Sequence, residues 1–149
     1  MKKIICIAAL FSALASAFAQ GESPTQFVDT WIGSRGSGNT VIGPSLPFGM
    51  IKPSPDTGKN SSNSGWGASG NINGFSQTHV SGTGGGSKYG NILVMPANGT
   101  LDVSNISSER ANETSKLAFY GVDLTRYGIK AEITCSEKAA IYRFSFPKK

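Results

Sequence analysis

Alternation of apolar and polar residues is clearest near the carboxyl end of the chain. In GIKAEITCS, residues 128–136, every second position is apolar, which is the period of a β-strand with one buried face. The segment AIYRFSFP, residues 140–147, repeats the pattern with aromatic side chains. The predicted inward positions are Ile129, Ala131, Ile133 and Cys135 in the first segment and Tyr142, Phe144 and Phe146 in the second.

Two further segments of the second half have strand character. KLAFYGVDL, residues 116–124, predicts a strand that turns into residues 128–136 around Arg126, Tyr127 and Gly128. NILVMP, residues 91–96, is a continuous apolar run ended by proline and predicts a buried strand. The polar segment 105–116 predicts a loop or one helical turn.

From Phe27 to Gly58, proline and glycine interrupt every apolar patch, which nearly excludes helix there. The stretch SLPFGMIKPSP predicts extended or turn structure with Phe48, Met50 and Ile51 as buried anchors. Residues 58–73 predict a loop in which only Trp66 and Ile72 could fill a core.

The fold class expected is an all-β antiparallel sandwich with long glycine-rich loops. The sequence stops directly after a strong strand, so we expect the sandwich to be incomplete at the carboxyl terminus.

The first residues predict export. Lys2 and Lys3 precede an apolar run that ends in small residues at Ala17 and Ala19, as in a secretory signal peptide. We therefore expect a signal peptide over 1–19, a linker without regular structure over 20–26, and one domain over 27–149 that is periplasmic or secreted. No later stretch predicts a membrane span.

Charge and cysteine content exclude several classes of protein. The formal net charge of +5 over 149 residues includes two lysines of the predicted signal peptide, and its removal leaves +3. That excess is too small to indicate a nucleic-acid partner. Cys135 is the cysteine that remains, so no intramolecular disulfide is expected.

Ten glycines lie between Gly58 and Gly90, and no aspartate or glutamate lies between Asp56 and Asp102. Chemistry that needs a carboxylate therefore cannot originate within this interval. Its G-x-G-x-x-G match, Gly65-Trp66-Gly67-Ala68-Ser69-Gly70, has no preceding apolar strand and no following helix, which argues against nucleotide binding. Lys88 lacks the flanking residues of a P-loop.

His79 is the single histidine of the chain. One histidine and one cysteine cannot assemble a zinc site of three or four nitrogen and sulfur ligands. A serine triad would need Asp56 or Asp102 as the partner of His79, and Ser81 stands in no G-x-S-x-G turn. Two interpretations stay open: a histidine that hydrogen-bonds the backbone and fixes a loop, or one that lines a substrate pocket.

Trp66 also has two interpretations. An indole at the tip of a loop of small residues offers a flat face on which the C–H face of a sugar can stack. Alternatively, Trp66 folds back onto the sandwich or fills an interface. Trp31, in a short apolar stretch with Ile32, is expected in the core.

Four segments of the chain, in this order and spacing, resemble the amino-terminal domain of glycoside hydrolase family 92. They are DTWIG, GNTVIGPSLPFGMIKPSPDTG, GFSQTHVSGTGGGSKYGNILVMP and RYGIKAEITCSEKAAIYRFSFP. The resemblance covers residues 27–147, and the two glycine-rich blocks are its most specific part.

The resemblance implies an exported, exo-acting, inverting and calcium-dependent α-mannosidase that acts on N-glycans or mannan. In that family a β-sandwich packs against a helical domain that holds most of the catalytic and calcium-binding residues. That domain is the partner this chain would need, and no catalytic or metal-binding residue is expected in the chain itself. The positions that match the loops around the sugar are Trp66, Phe75, His79, Gly82, Thr83 and Gly84.

Two positions depart from the family pattern. Gln77 stands where many members have histidine, and Asn91 where many have aspartate, so the preferred mannoside is not implied. Inverting hydrolysis needs a pair of carboxyl groups, one acid and one base, and the glycine-rich loops offer none. The chain alone is therefore expected to be inactive as a hydrolase. A free-standing sugar-binding sandwich and an inactive gene fragment remain as alternatives.

Overall fold

A computed structural model describes residues 23–36, 38–57, 64–80 and 90–148. The described part contains a four-residue 3-10 helix, Pro24–Phe27, and six strands that form two antiparallel sheets. The strands are β1 (Ser54–Thr57), β2 (Ile72–Ser76), β3 (Arg110–Lys116), β4 (Phe119–Leu124), β5 (Ile129–Cys135) and β6 (Ala140–Ser145). This arrangement confirms the all-β fold class. Within the described ranges, no helix has the length and apolar character to cross a membrane.

The larger sheet is a meander of order β3-β4-β5-β6, and one of its faces is buried. The registers Tyr120↔Ile133, Val122↔Ala131 and Leu124↔Ile129 place apolar side chains of β4 and β5 opposite each other. All six of these residues are almost fully buried. Side chains directly opposite each other on one face are the contacts that stabilise a sheet, so these pairs form the centre of the core.

The smaller sheet, β1-β2, packs against that buried face. Ile72 and Phe75 of β2 are fully buried, and the Phe75 ring lies 6.1 Å from that of Phe144 on β6. Ile72 also exchanges two backbone hydrogen bonds with Ser108, the residue that leads towards β3. The two sheets therefore share one core.

Glu113 of β3 connects the loop around Trp66 to the larger sheet. Its carboxylate accepts a hydrogen bond from Trp66 Nε1 at 2.8 Å and another from the Tyr120 hydroxyl. Burial raises the pKa of Tyr120 and the neighbouring Glu113 charge adds to the effect, so the phenol keeps its proton and donates. Arg110 lies 3.3 Å from the same carboxylate and stacks on the Trp66 ring at 5.3 Å.

Several predictions about local structure are wrong, and they fall into three groups. Residues 110–116 form a strand rather than a loop or a helical turn. Polar side chains suit this position because β3 is at the edge of its sheet. Two of them also form hydrogen bonds with the rest of the domain: Glu113 accepts from Trp66 Nε1, and Ser115 donates to the Ile42 carbonyl. The predicted linker, residues 20–26, overlaps a short 3-10 helix, Pro24–Phe27. Proline suits the first position of a helix because its φ is fixed near the helical value.

The second group of errors concerns the expected anchors Phe48 and Met50. Their exposed fractions are 105% and 73%, whereas Ile51 is half-buried. A turn closed by the hydrogen bond from Gly49 N to the Leu46 carbonyl, with Phe48 at a φ of 59°, directs both side chains outward. Of the predicted inward positions near the carboxyl end, Phe146 is exposed as well, because it follows the last residue of β6.

The third error concerns residues 91–96, which do not form a continuous strand. They make two isolated bridges, Thr78↔Asn91 and Phe75↔Val94. Ile92 between them has a φ of 60°, a left-handed conformation that interrupts the extended run. Ile92, Leu93 and Val94 are consequently exposed, and only Pro96 is buried.

The Glu113 contacts lead to a prediction about stability. Glu113→Ala orphans the buried donors of Trp66 and Tyr120, and each unsatisfied buried group costs about 1–3 kcal/mol. Because two donors lose their acceptor, urea denaturation followed by tryptophan fluorescence should show a fall in the free energy of unfolding of about 2–6 kcal/mol. Glu109→Ala is the matched control, because Glu109 is exposed and its described hydrogen bonds are made by its backbone. Equal effects of the two substitutions would contradict the role given to Glu113.

Candidate functional site

A group of polar side chains lies where β1 and β2 meet β6. We call it the Asp56 cluster, and its members are Asp56, Ser76, Gln77, His79 and Tyr142. Asp56 belongs to β1, at the point where the register with β2 shifts between Asp56 and Thr57. Such a bulge re-aims side chains and is common next to functional sites.

His79 is held from both sides of its ring. Its Nδ1 lies 3.0 Å from the Lys52 carbonyl oxygen, so Nδ1 carries a hydrogen and donates. Its Nε2 lies 2.9 Å from Oδ1 of Asp56. The His79 side chain has no exposed surface, and that of Asp56 is 22% exposed.

The second carboxyl oxygen of Asp56 is also bonded, since Ser76 Oγ donates to Oδ2. In a hydrolytic triad the serine hydroxyl bonds to the histidine, which removes its proton. Here the serine donates directly to the carboxyl group, so histidine does not activate it. The other acid considered for His79, Asp102, instead accepts from the backbone and side chain of Ser104. Ser81 lies outside the described residues.

Two glycines lie directly against the Asp56 cluster. A Cβ atom at Gly65 would be 2.4 Å from His79 Nε2 and 2.6 Å from Asp56 Oδ1. A Cβ atom at Gly90 would be 2.4 Å from Ser76 Oγ and 3.0 Å from His79 Nε2. No real side chain fits at such distances, so the backbone approach itself requires glycine at both positions.

These glycines flank the two glycine-rich stretches. Thr57 N donates to the Gly65 carbonyl at 2.9 Å and closes the first stretch, residues 58–64. Gln77 N donates to the Asn91 carbonyl at 2.9 Å and closes the second, residues 78–90. We call these two backbone bonds the loop stems. Both stems are adjacent to the His79–Asp56 contact, so one buried polar contact supports both stems.

Tyr142 reaches the cluster from β6. Its hydroxyl donates to Gln77 Oε1 at 2.8 Å and lies 3.4 Å from the Ser76 carbonyl. Burial, with the nearby Asp56 charge, raises the pKa of Tyr142 from 10.0 to about 12. The phenol therefore remains a donor at neutral pH and orients the amide of Gln77.

The residues predicted to surround a sugar are found in different environments. Trp66 is 2% exposed and packs 5.3 Å from the Trp31 ring, which corresponds to the interpretation in which it folds back. Phe75 is buried in the core, and His79 belongs to the Asp56 cluster with its backbone contact to Lys52. Gly82, Thr83 and Gly84 lie outside the described residues. The role of this set in sugar binding stays a prediction.

Sequence reasoning misses Ser76, Gln77 and Tyr142 as members of one cluster. Alternation assigns Tyr142 to the core, and the available signal is its hydroxyl, which needs a partner when buried. Within the described ranges, no three histidine, cysteine, aspartate or glutamate residues gather in a way that could hold a metal ion.

Comparison with known sequences identifies the family. Residues 27–149 match the glycosyl hydrolase family 92 N-terminal domain, which includes both glycine-rich stretches and the Asp56 cluster. The chain belongs to glycosyl hydrolase family 92.

Relatives of this family 92 chain include a protein of Arthroderma benhamiae described as an uncharacterized secreted glycosidase. It is 33% identical over 133 residues, which cover 82% of this chain and 17% of the relative. The structure of a family GH92 α-mannosidase from Bacteroides thetaiotaomicron matches with a TM-score of 0.77 and 32% identity, over 87% of this chain and 19% of that one. The same enzyme in complex with mannoimidazole matches with a TM-score of 0.75 and 31% identity, over 83% and 18%. The chain thus spans less than one fifth of the length of these relatives.

One structural neighbour supports the fold alone. A family GH92 inverting mannosidase of Bacteroides thetaiotaomicron has a TM-score of 0.64 at 21% identity, over 87% of this chain and 19% of that one.

The glycine contact with the cluster can be tested with a matched pair. Gly65 and Gly70 both have left-handed φ values, 83° and 94°, but no atom lies within 4 Å of a Cβ at Gly70. Gly70→Ala should therefore cost only the left-handed backbone penalty of about 1–2 kcal/mol. Gly65→Ala should cost at least about 1 kcal/mol more, because it also displaces His79 from Asp56. Urea denaturation measures both, and equal losses would contradict the close contact.

The pKa of Tyr142 gives a pH prediction. A phenol with a raised pKa in the folded state contributes stability that is complete below its unfolded value of 10.0. That contribution disappears as the pH rises towards the folded value of about 12. When phenolate absorbance is followed against pH, Tyr142→Phe should lack the ionisation step that the original protein shows near pH 12. The substituted protein should also be less sensitive to alkaline unfolding. A lost step near 10.0 would show that the hydroxyl is not buried as described.

Proposed function

We propose that this chain is the amino-terminal part of an exported, calcium-dependent, inverting α-mannosidase, and that its two glycine-rich loops wall the sugar pocket. The substrates are mannose-containing glycans, either N-glycans or mannan. The observation that carries the proposal is the Asp56 cluster, which joins both loop stems within a family 92 domain similar to that of α-mannosidases.

The cluster supports a positioning role rather than a chemical one. His79 and Asp56 satisfy each other's hydrogen-bonding groups in a buried site, which favours one arrangement of the backbone around them. Gly65 and Gly90 then approach that pair too closely for any other residue. Positioning of this kind matters for catalysis, since a displacement of about 1 Å can cost roughly 10²-fold in rate.

The chemistry of glycoside inversion needs groups that these loops do not supply. One carboxylic acid must protonate the leaving oxygen, and a carboxylate must activate water on the other face of the sugar. The interval between Asp56 and Asp102 contains neither acid type, and both oxygens of Asp56 are already bonded. We therefore assign the acid, the base and the calcium ligands to the part of the enzyme that follows this domain, and we expect the isolated chain to release no mannose.

Export is part of the same proposal. The charged and apolar pattern of residues 1–19, which lie outside the described residues, has the form of a secretory signal peptide. A relative at 33% identity is described as secreted, which supports a periplasmic or secreted location.

A chimera tests the division of labour. Residues 27–149 would replace the corresponding segment of the Bacteroides thetaiotaomicron α-mannosidase, and release of mannose from α-linked mannan would be measured with and without a calcium chelator. We expect turnover that the chelator abolishes, and none from the 149-residue chain alone. In the chimera, His79→Ala should lower kcat/KM about 10-fold to 100-fold by loosening both loops, while Asp102→Ala should leave it unchanged.

Three results would contradict parts of the proposal. Mannose release by the isolated chain would place the catalytic carboxyl groups here, and chelator-resistant turnover by the chimera would remove the calcium requirement. A chimera that folds but is equally active with His79→Ala would separate the Asp56 cluster from the sugar pocket.

A further inference from the structure

The outward face of the larger sheet carries an aromatic ring between two cavities. Phe119 of β4 lines both of them, and their volumes are about 290 Å³ and 380 Å³. These volumes lie near the lower end of the range for small-ligand pockets, roughly 300–1,000 Å³. The first cavity is lined by Phe119, Glu132, Ile133, Thr134, Ile141 and Arg143, and the second by Phe119, Asn112, Thr114, Gly121, Asp123 and Lys130.

The ring of Phe119 lies along the sheet rather than away from it. A Cβ atom at Gly121, two residues further on the same strand, would lie 3.1 Å from both Cε1 and Cζ of Phe119. The glycine therefore leaves the space that the ring occupies. Phe119 covers Gly121 and also lines both cavities, so it offers an apolar surface to a ligand in either.

Polar side chains surround this ring in hydrogen-bonded pairs. Arg143 Nε donates to Glu132 Oε2 at 2.7 Å, and Lys130 lies 3.4 Å from the other oxygen of that carboxylate. The hydrogen bond from Arg143 lowers the pKa of Glu132, so this group remains an acceptor at neutral pH. On the other side of the ring, Asn112 Nδ2 donates to Asp123 Oδ2 at 2.7 Å.

Asn112 is held in an unusual conformation. Its φ is 51°, and it lies where the register between β3 and β4 shifts between Ala111 and Thr114. Left-handed non-glycine residues and bulges are both concentrated at functional sites. The bulge brings the Asn112 amide to Asp123 at the edge of the second cavity.

The charges of this face indicate a neutral ligand. Asp123 and Glu132 balance Lys130 and Arg143, so the face attracts neither a polyanion nor a polycation. An aromatic surface bordered by planar donors and acceptors suits a molecule with one apolar C–H face and several hydroxyl groups, which describes a pyranose sugar.

We propose that the outward face of the sheet β3-β4-β5-β6 is a second carbohydrate-binding site, separate from the glycine-rich loops, with Phe119 as its stacking platform. The Asn112–Asp123 and Glu132–Arg143 pairs bind the hydroxyl groups. The choice of a mannose unit as ligand rests on the proposed function. Such a site retains a polymeric mannoside near the enzyme after each released sugar.

Amide chemical shifts of the ¹⁵N-labelled protein, titrated with methyl α-mannopyranoside, locate the site. We expect weak, saturable shifts centred on Phe119, Gly121 and Glu132, and none when glycerol replaces the sugar. Shifts confined to Gly65, Gln77 and His79 would overturn this proposal and leave the proposed function intact. Absence of saturable shifts at the outward face would also overturn the proposal of a second sugar site. The proposed function is tested separately, by turnover of the chimera.

Substitutions distinguish a binding role of Phe119 from a purely structural one. Phe119→Ala should raise the dissociation constant about tenfold or more, and Phe119→Trp should retain binding and add an emission change on titration. Phe146→Ala is the matched control, because Phe146 is exposed, lies beyond the end of β6 and lines neither cavity. If Phe119→Ala only lowers the thermal midpoint while the sugar-induced shifts persist, the ring merely covers Gly121 and the proposal is wrong.

Discussion

The contact between His79 and Asp56 is the interaction on which the functional half of this domain depends. A buried imidazole whose two nitrogens face a carbonyl and a carboxyl oxygen has one satisfied arrangement, and loss of either partner leaves buried polar groups unpaired. The backbone at Gly65 and Gly90 passes directly over this pair. The two loop stems therefore lie against a single buried contact, which glycine alone allows the backbone to approach.

The larger sheet provides the rigid support for that contact. Its buried face unites β4 and β5 through opposed apolar pairs, and Tyr142 of β6 extends from the same sheet to Gln77. Trp66 is tied to this sheet by Glu113, which fixes the residue next to Gly65. Two independent connections thus link the loop stems to the core, one through Tyr142 and the other through Trp66.

Much of the fold could be predicted because β5 has one buried face and β6 one half-buried face, and alternation of apolar and polar residues indicates that geometry. The errors share a physical cause. β3 is polar because it is an edge strand whose side chains bond inward, and Phe48 and Ile92 adopt left-handed conformations that no apolar pattern reveals. Asp56 could be named as a partner of His79 from charge alone. The joining of Ser76, Gln77 and Tyr142 to that pair could not, because it depends on which strands face each other across the core.

The most direct test of the central contact is a double-mutant cycle between Asp56→Ala and His79→Ala, with the free energy of unfolding measured by urea denaturation. Contacting residues couple by about 0.5–3 kcal/mol, and we expect a coupling of at least about 1 kcal/mol. Amide hydrogen exchange at Gly65 and Gly90 should accelerate together in either single variant. Additive effects within about 0.5 kcal/mol, or faster exchange at only one of the two glycines, would contradict the claim that one buried pair holds both loops.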